Sequence, residues 1–127
     1  MIVVAAVAAA IVINLAIYAI GRASGGEFLF TASSETAEVD ALTVAGFTAV
    51  PLSVGMALAA LLSLKWPWII RVALVVGPVL ALVTIAIMTI PADFDLASTI
   101  ALALCHVALV PVMIVGLLAM SRRTRRR

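Results

Sequence analysis

Few side chains in this sequence can do chemistry, and they lie in unusual company. His106, the only histidine, and Cys105, the only cysteine, are adjacent within a long uncharged apolar stretch from Leu96 to Met120. Other apolar stretches carry Asn14, Thr48, Ser53 and Thr84. A metal site needs several converging ligands, and neighbouring helix positions point about 100° apart, so Cys105 and His106 do not make a ligand pair. No nucleophile with a general base, no phosphate loop and no paired acids accompany them. One thiol excludes an intramolecular disulfide and dithiol exchange. The apolar stretches hold no carboxylate either, so proton-coupled transport through an embedded acid has no residue to run on. The chain reads as non-enzymatic, with no catalytic residues, no metal and no cofactor.

What remains is a layer. Counted from the outer ends of the apolar stretches, Asn14, Thr48 and Thr84 lie about six or seven residues in, and Ser53 and His106 about ten or eleven. At about 1.5 Å per residue these depths differ by only about 6 Å. Asn14, Thr48, Ser53, Thr84 and His106 are therefore expected to form one polar layer inside a helix bundle. Two readings stand side by side: a binding site for a ligand or proton, or a histidine hydrogen-bonded across the bundle to Asn14 or Thr84, a contact worth about 1 kcal/mol.

The elements that must position this layer follow from composition. Hydrophobic residues make up 66% of the 127 residues and charged ones 11%, with mean hydropathy +1.34, values that belong to membrane proteins. Four apolar segments are long enough to cross a bilayer: residues 2–20, 41–64, 68–90 and 96–120. The expected fold is all-α, a single domain over 1–127 folded as a four-helix transmembrane bundle. The first segment lacks the basic start of a cleaved signal and is longer than one, so it reads as a retained helix.

Charge sets the orientation. Arginines crowd the end of the chain, at Arg122, Arg123, Arg125, Arg126 and Arg127, and basic residues flanking spans stay on the cytoplasmic side. Working back through four crossings puts Lys65 and Arg71 on the same side as that tail. All six acidic residues and only Arg22 of the eight basic ones fall on the other. Both termini are expected in the cytoplasm of a bacterial inner membrane, with the terminal arginines touching anionic lipid headgroups, at about 1 kcal/mol each. Lipid contact accounts for the tail, so nucleic acid is not an expected partner.

Between the spans, Lys65-Trp66-Pro67-Trp68 reads as an interfacial turn, with Pro67 suited to a helix start. The one sizeable loop runs from Arg22 to Asp40. Within it Glu27 to Thr31 alternates weakly and is expected to be extended, while Ser33-Ser34-Glu35-Thr36 supplies helix-start residues that would begin the second helix early. Phe28 and Phe30 read as a lid on the helix ends. Polar groups facing lipid are costly, so polar residues in the spans should face other helices. That predicts four facing stripes of small and polar residues: Ala6, Ala10, Asn14 and Tyr18; Gly46, Ala49, Ser53, Ala57 and Ala60; Gly77, Ala81 and Thr84; and Thr99, Ala103 and His106. Pro51, Pro78 and Pro111 each sit inside a span and are expected to bend it.

Four spans, a short acidic loop, Arg71-Val72-Ala73-Leu74 entering the third helix and Ala101-Leu102-Ala103-Leu104-Cys105-His106-Val107 in the fourth together resemble an uncharacterised family of small four-helix membrane proteins from actinomycete bacteria. The resemblance covers nearly the whole chain, implies the same bundle and brings no activity or site residues. The functional expectation is an accessory subunit or homo-oligomeric scaffold acting through protein and lipid contacts. The alternative is a carrier of a small apolar ligand, such as a lipid or quinone, in a cavity near His106 and Asn14.

Overall fold

A computed structural model of the chain describes residues 1–124. Four helices in it are long and apolar enough to cross a membrane: α1 (Ile2–Ala23), α2 (Ala41–Ser63), α3 (Ile69–Thr84, continued by a π turn over Ile85–Thr89) and α4 (Leu96–Thr124). A two-stranded hairpin, β1 (Leu29–Ala32) and β2 (Glu35–Glu38), fills the loop between α1 and α2.

Each boundary has a local cause. Helix α1 ends in a Schellman motif, with Gly26 N–H donating to Gly21 O at 2.9 Å and Gly25 N–H to Arg22 O at 3.1 Å. Gly25 holds the left-handed position the motif needs, at φ +91°. Helix α2 starts at Asp40, whose carboxylate accepts from Thr43 N at 2.7 Å and from the Thr43 hydroxyl at 2.6 Å. These bonds lower the Asp40 pKa, the hydroxyl contributing most. The expectation that Ser33 to Thr36 begins this helix is corrected. Ser33 and Ser34 form the hairpin turn at φ +50° and +70°, and Glu35 pairs with Ala32 across it. Two consecutive positive φ values make the turn whose twist matches a two-residue hairpin, and the strand pairing outweighed the helix-start composition.

The π turn changes which side of α3 is inside. Ile90 N–H donates to Ile85 O at 2.9 Å, five residues back. In an unbroken α-helix, two turns beyond buried Ala81 would be Met88. Here Met88 is 57% exposed and Thr89 is 4% exposed. One extra residue in the turn has exchanged them.

Helix α1 packs against both α2 and α4, and α4 also packs against α3, giving the spatial order α2, α1, α4, α3. The apolar core joins all four toward the end opposite the hairpin, through Ala6, Ala10, Leu52, Met56, Ile70 and Leu117. The predicted stripe of α1 is the buried one, Ala6, Ala10 and Asn14. On α2 the inward face is displaced by one residue, to Val44, Thr48, Leu52, Met56, Ala59 and Ser63. On α4 it carries Ser98, Ala101 and Cys105 in place of Thr99, Ala103 and His106. Small residues on α1 leave room for large ones opposite, so α2 fills that room with Leu52 and Met56 where its own small residues would leave a gap. The fit is close at Gly116, where a Cβ would stand 2.5 Å from Met56 Cε and 3.4 Å from Ala6 Cβ.

Gly116→Leu is therefore expected to lower the detergent-solubilised melting temperature clearly, and Met56→Ala in the same chain to recover part of the loss. A Gly116→Leu protein that melts like the parent would refute this packing.

Candidate functional site

The interior polar contacts begin at Asn14, which the alanine face of α1 carries into the bundle at 2% exposure. Its Nδ2 donates to Thr48 Oγ1 of α2 at 2.8 Å. From the other side, Cys105 Sγ of α4 lies 3.7 Å from the Asn14 backbone carbonyl oxygen. The structure thus brings Asn14 and Thr48 together and adds Cys105. It joins the other layer residues to neither. Thr84 turns its hydroxyl to its own helix, donating to Leu80 O at 2.6 Å. His106 is half-buried, and its Nδ1 is 2.8 Å from Leu102 O, one turn back in α4. Ser53 is half-buried beside the inward face of α2. No group of three or more potential metal ligands occurs among the described residues.

The second constellation lies at the hairpin end, and its signals are local ones that periodicity does not reveal. Phe28 is fully buried, its ring 4.6 Å from that of Tyr18. It sits where a Cβ on Gly21 would be 2.8 Å from Phe28 Cζ and one on Gly26 would be 2.9 Å from Phe28 Cε2. Only glycine leaves this ring its seat. Phe28 N–H donates to Ser98 Oγ at 2.8 Å, and Phe28 O accepts from Val39 N at 2.9 Å. The residue takes φ +57°, a conformation costing on the order of 1 kcal/mol that these contacts offset.

Carboxylates hold the hairpin to the start of α4. Asp95 accepts from Ser98 N at 2.9 Å, from the Ser98 hydroxyl and from Glu27 N at 3.0 Å. The hydroxyl, then the amides, draw its pKa down to about 2. Asp93 accepts from the Thr31 hydroxyl at 2.6 Å and from Thr31 N at 2.7 Å, and its pKa is lowered likewise. Phe30 packs on Phe94 at 5.2 Å, so both hairpin aromatics serve as a lid.

Arg22, the one basic residue among the acids, completes the clamp. Its Nη1 donates to Glu27 O at 2.8 Å, its Nη2 is 3.2 Å from Glu38 Oε1, and its guanidinium is 5.9 Å from the Tyr18 ring centre. Two signals for this end were readable: Gly25-Gly26 just after α1, and Asp95 three residues before Ser98 as a helix cap. Shallow hollows border the hairpin, one beside Phe30, Thr31 and Asp93, the other beside Arg22, Gly26 and Glu38.

At the opposite end lie Lys65, 5.0 Å over the Trp66 ring, exposed Arg71 and exposed Arg122. The expected headgroup contacts of Arg125, Arg126 and Arg127, and of the Arg123 side chain, lie outside the described residues.

A family of unknown function, DUF6069, matches residues 2–126 of the chain. No curated protein and no solved structure matches it.

The depressed pKa of Asp95 gives a signed expectation. Its stabilising bonds are fully present above the ordinary value of 3.8 and are lost as pH falls through about 2. Asp95→Ala should remove them at every pH, so at pH 5 the Glu27, Phe28 and Ser98 amides should exchange hydrogen faster than in the parent. Unchanged protection at all three would show that the hairpin is not anchored there.

Proposed function

The chain therefore belongs to that family, and from this premise, which brings no activity with it, we propose that it is a non-enzymatic accessory subunit or oligomeric scaffold of a bacterial cytoplasmic membrane. Both termini face the cytoplasm, and the acidic hairpin end faces outward. One observation carries the reading. Helix α3 buries only Ile70 and Ala81 along Ile69–Thr84, and Val75, Val79 and Leu80 lie 50–63% exposed along it. One long apolar face of this helix is left for lipid or for another protein. Anionic headgroups against Lys65, Arg71 and the terminal arginines hold the cytoplasmic end by charge.

The topology has support of its own. Asp93 and Asp95 meet the hairpin directly, which gathers acids at one end, while Lys65 and Arg71 flank the short turn at the other. Carriage of an apolar ligand near His106 has less support, because the hollows beside the hairpin are lined by neither Asn14 nor His106.

A photoreactive residue at Val79, used in native membranes, is expected to form protein adducts, either with a second copy or with a partner. Adducts to lipid alone would overturn the scaffold reading. His106→Ala is expected to insert normally and lose at most about 1 kcal/mol of stability. Full stability combined with loss of a co-purifying small molecule would favour the carrier instead.

A further inference from the structure

Asn14 Oδ1 is the one buried side-chain polar atom among the described residues with no hydrogen-bond partner. Its surroundings make that unusual. Asn14 is 2% exposed and lies nine residues from the end of α1, about 13 Å deep at about 1.5 Å per residue. In hydrocarbon an unpaired carbonyl is costly, and no solvent is there to relieve it. Turning the carboxamide over does not remove the problem. Oδ1 would then accept from the Thr48 hydroxyl, and Nδ2, a buried group with two protons, would need partners in the same place.

We infer that Asn14 Oδ1 binds a single buried water, held between α1, α2 and α4 by Asn14, Thr48 and Cys105. The required partners are present. Thr48 Oγ1 accepts from Asn14 Nδ2, and its own proton has no acceptor among the described residues, so it is available to donate to the water. The water gives one proton to Asn14 Oδ1, and the Cys105 sulfur beside the Asn14 carbonyl is a weak acceptor for the other. Two or more polar partners are what an internal water needs. One turn away on the inward faces of α1 and α4 stand Ala10 and Ala101, the smallest residues that still have a side chain, while α2 presents Val44 and Leu52, so room for the water comes from the α1 and α4 sides. Phe28, Gly21 and Ser98 close the hairpin end above it, so the water is trapped and exchanges slowly.

The chain makes the test unusually direct. Asn14 is its only asparagine and it has no glutamine, so one side-chain amide pair appears in the nitrogen-resolved spectrum of the whole protein in lipid nanodiscs. Expected is slow exchange of this pair with bulk water, together with magnetisation transfer from a long-lived water to its two protons. Thr48→Val, which keeps the shape and removes the hydroxyl, should weaken that transfer at least several-fold while the backbone spectrum persists. Slow exchange with no water transfer would mean a dry node and overturn the inference. So would transfer from lipid protons, or exchange as fast as that of a free carboxamide.

Discussion

Helix α1 is pressed from two sides, by α2 and by α4, and it can meet both only because the face it turns to them is nearly bare. In lipid there is no hydrophobic gain from apolar helices coming together, so their association rests on how closely the surfaces fit. Ala6 and Ala10, at 9% and 1% exposure, bring the axis of α1 near its neighbours. The bulk that fills the space comes from them, as Leu52, Met56 and Leu117. Asn14 continues the same face one turn further. Its position between α2 and α4 follows from the alanines before it, and its bond to Thr48 ties the half of the bundle that the apolar core does not reach.

The hairpin end solves a different problem with different forces. Here water is within reach, and the ends of α1 and α4 each leave backbone groups to satisfy. The chain uses glycines at the close of α1 and a carboxylate at the opening of α4, then places one aromatic ring between them. Phe28, Ser33 and Ser34 all adopt positive φ, and three such residues within a short segment persist only where the surroundings over-determine them. The network of Asp93, Asp95, Ser98 and Arg22 does that. Most of the acidity at this end is thereby explained as scaffolding. A lone arginine among acids, an exception to the charge asymmetry of the chain, is the residue that ties α1 to the hairpin.

How much of this could be read in the sequence depended on whether the signal was a length, a period or a phase. Length alone was enough for four helices, and the period of α1 was clean because alanine, alanine and asparagine recur on an otherwise bulky helix. Phase failed on α2 and α4. In the run Ala101-Leu102-Ala103-Leu104-Cys105-His106, two candidate faces one or two residues apart both combine a small residue with a polar one. Choosing the more polar favours His106, yet the bundle takes Ala101 and Cys105, whose slimmer side chains lie flat against α1. His106 can satisfy one ring nitrogen at Leu102 without leaving its own helix, so nothing compels it inward. The hairpin was half legible for a similar reason. Alternation marked β1, but Ser-Ser serves a helix start and a tight turn equally well, and only the pairing of Glu35 with Ala32 decides between them.

The π turn shows why phase is the hardest quantity to read. An α-helix carries its phase forward from residue to residue, so Ala81 inside implies Met88 inside. The single added residue between Ile85 and Thr89 breaks that chain of implication. The slip turns a flexible apolar side chain outward and a hydroxyl inward, at 57% and 4% exposure. It does so in the last turn before the Pro91–Asp95 connection, where α3 must hand the chain to α4 beneath the hairpin. Proline at position 91 lacks an N–H, so the helix ending just before it has one more carbonyl without a backbone donor. A widened turn with its bond five residues back then lets Ile90 reach Ile85 while Thr89 rotates toward α4. Beyond Arg71 the outward side of α3 is left apolar as a consequence. The same local irregularity that buries a polar group thus keeps it off the face that α3 turns away from the bundle.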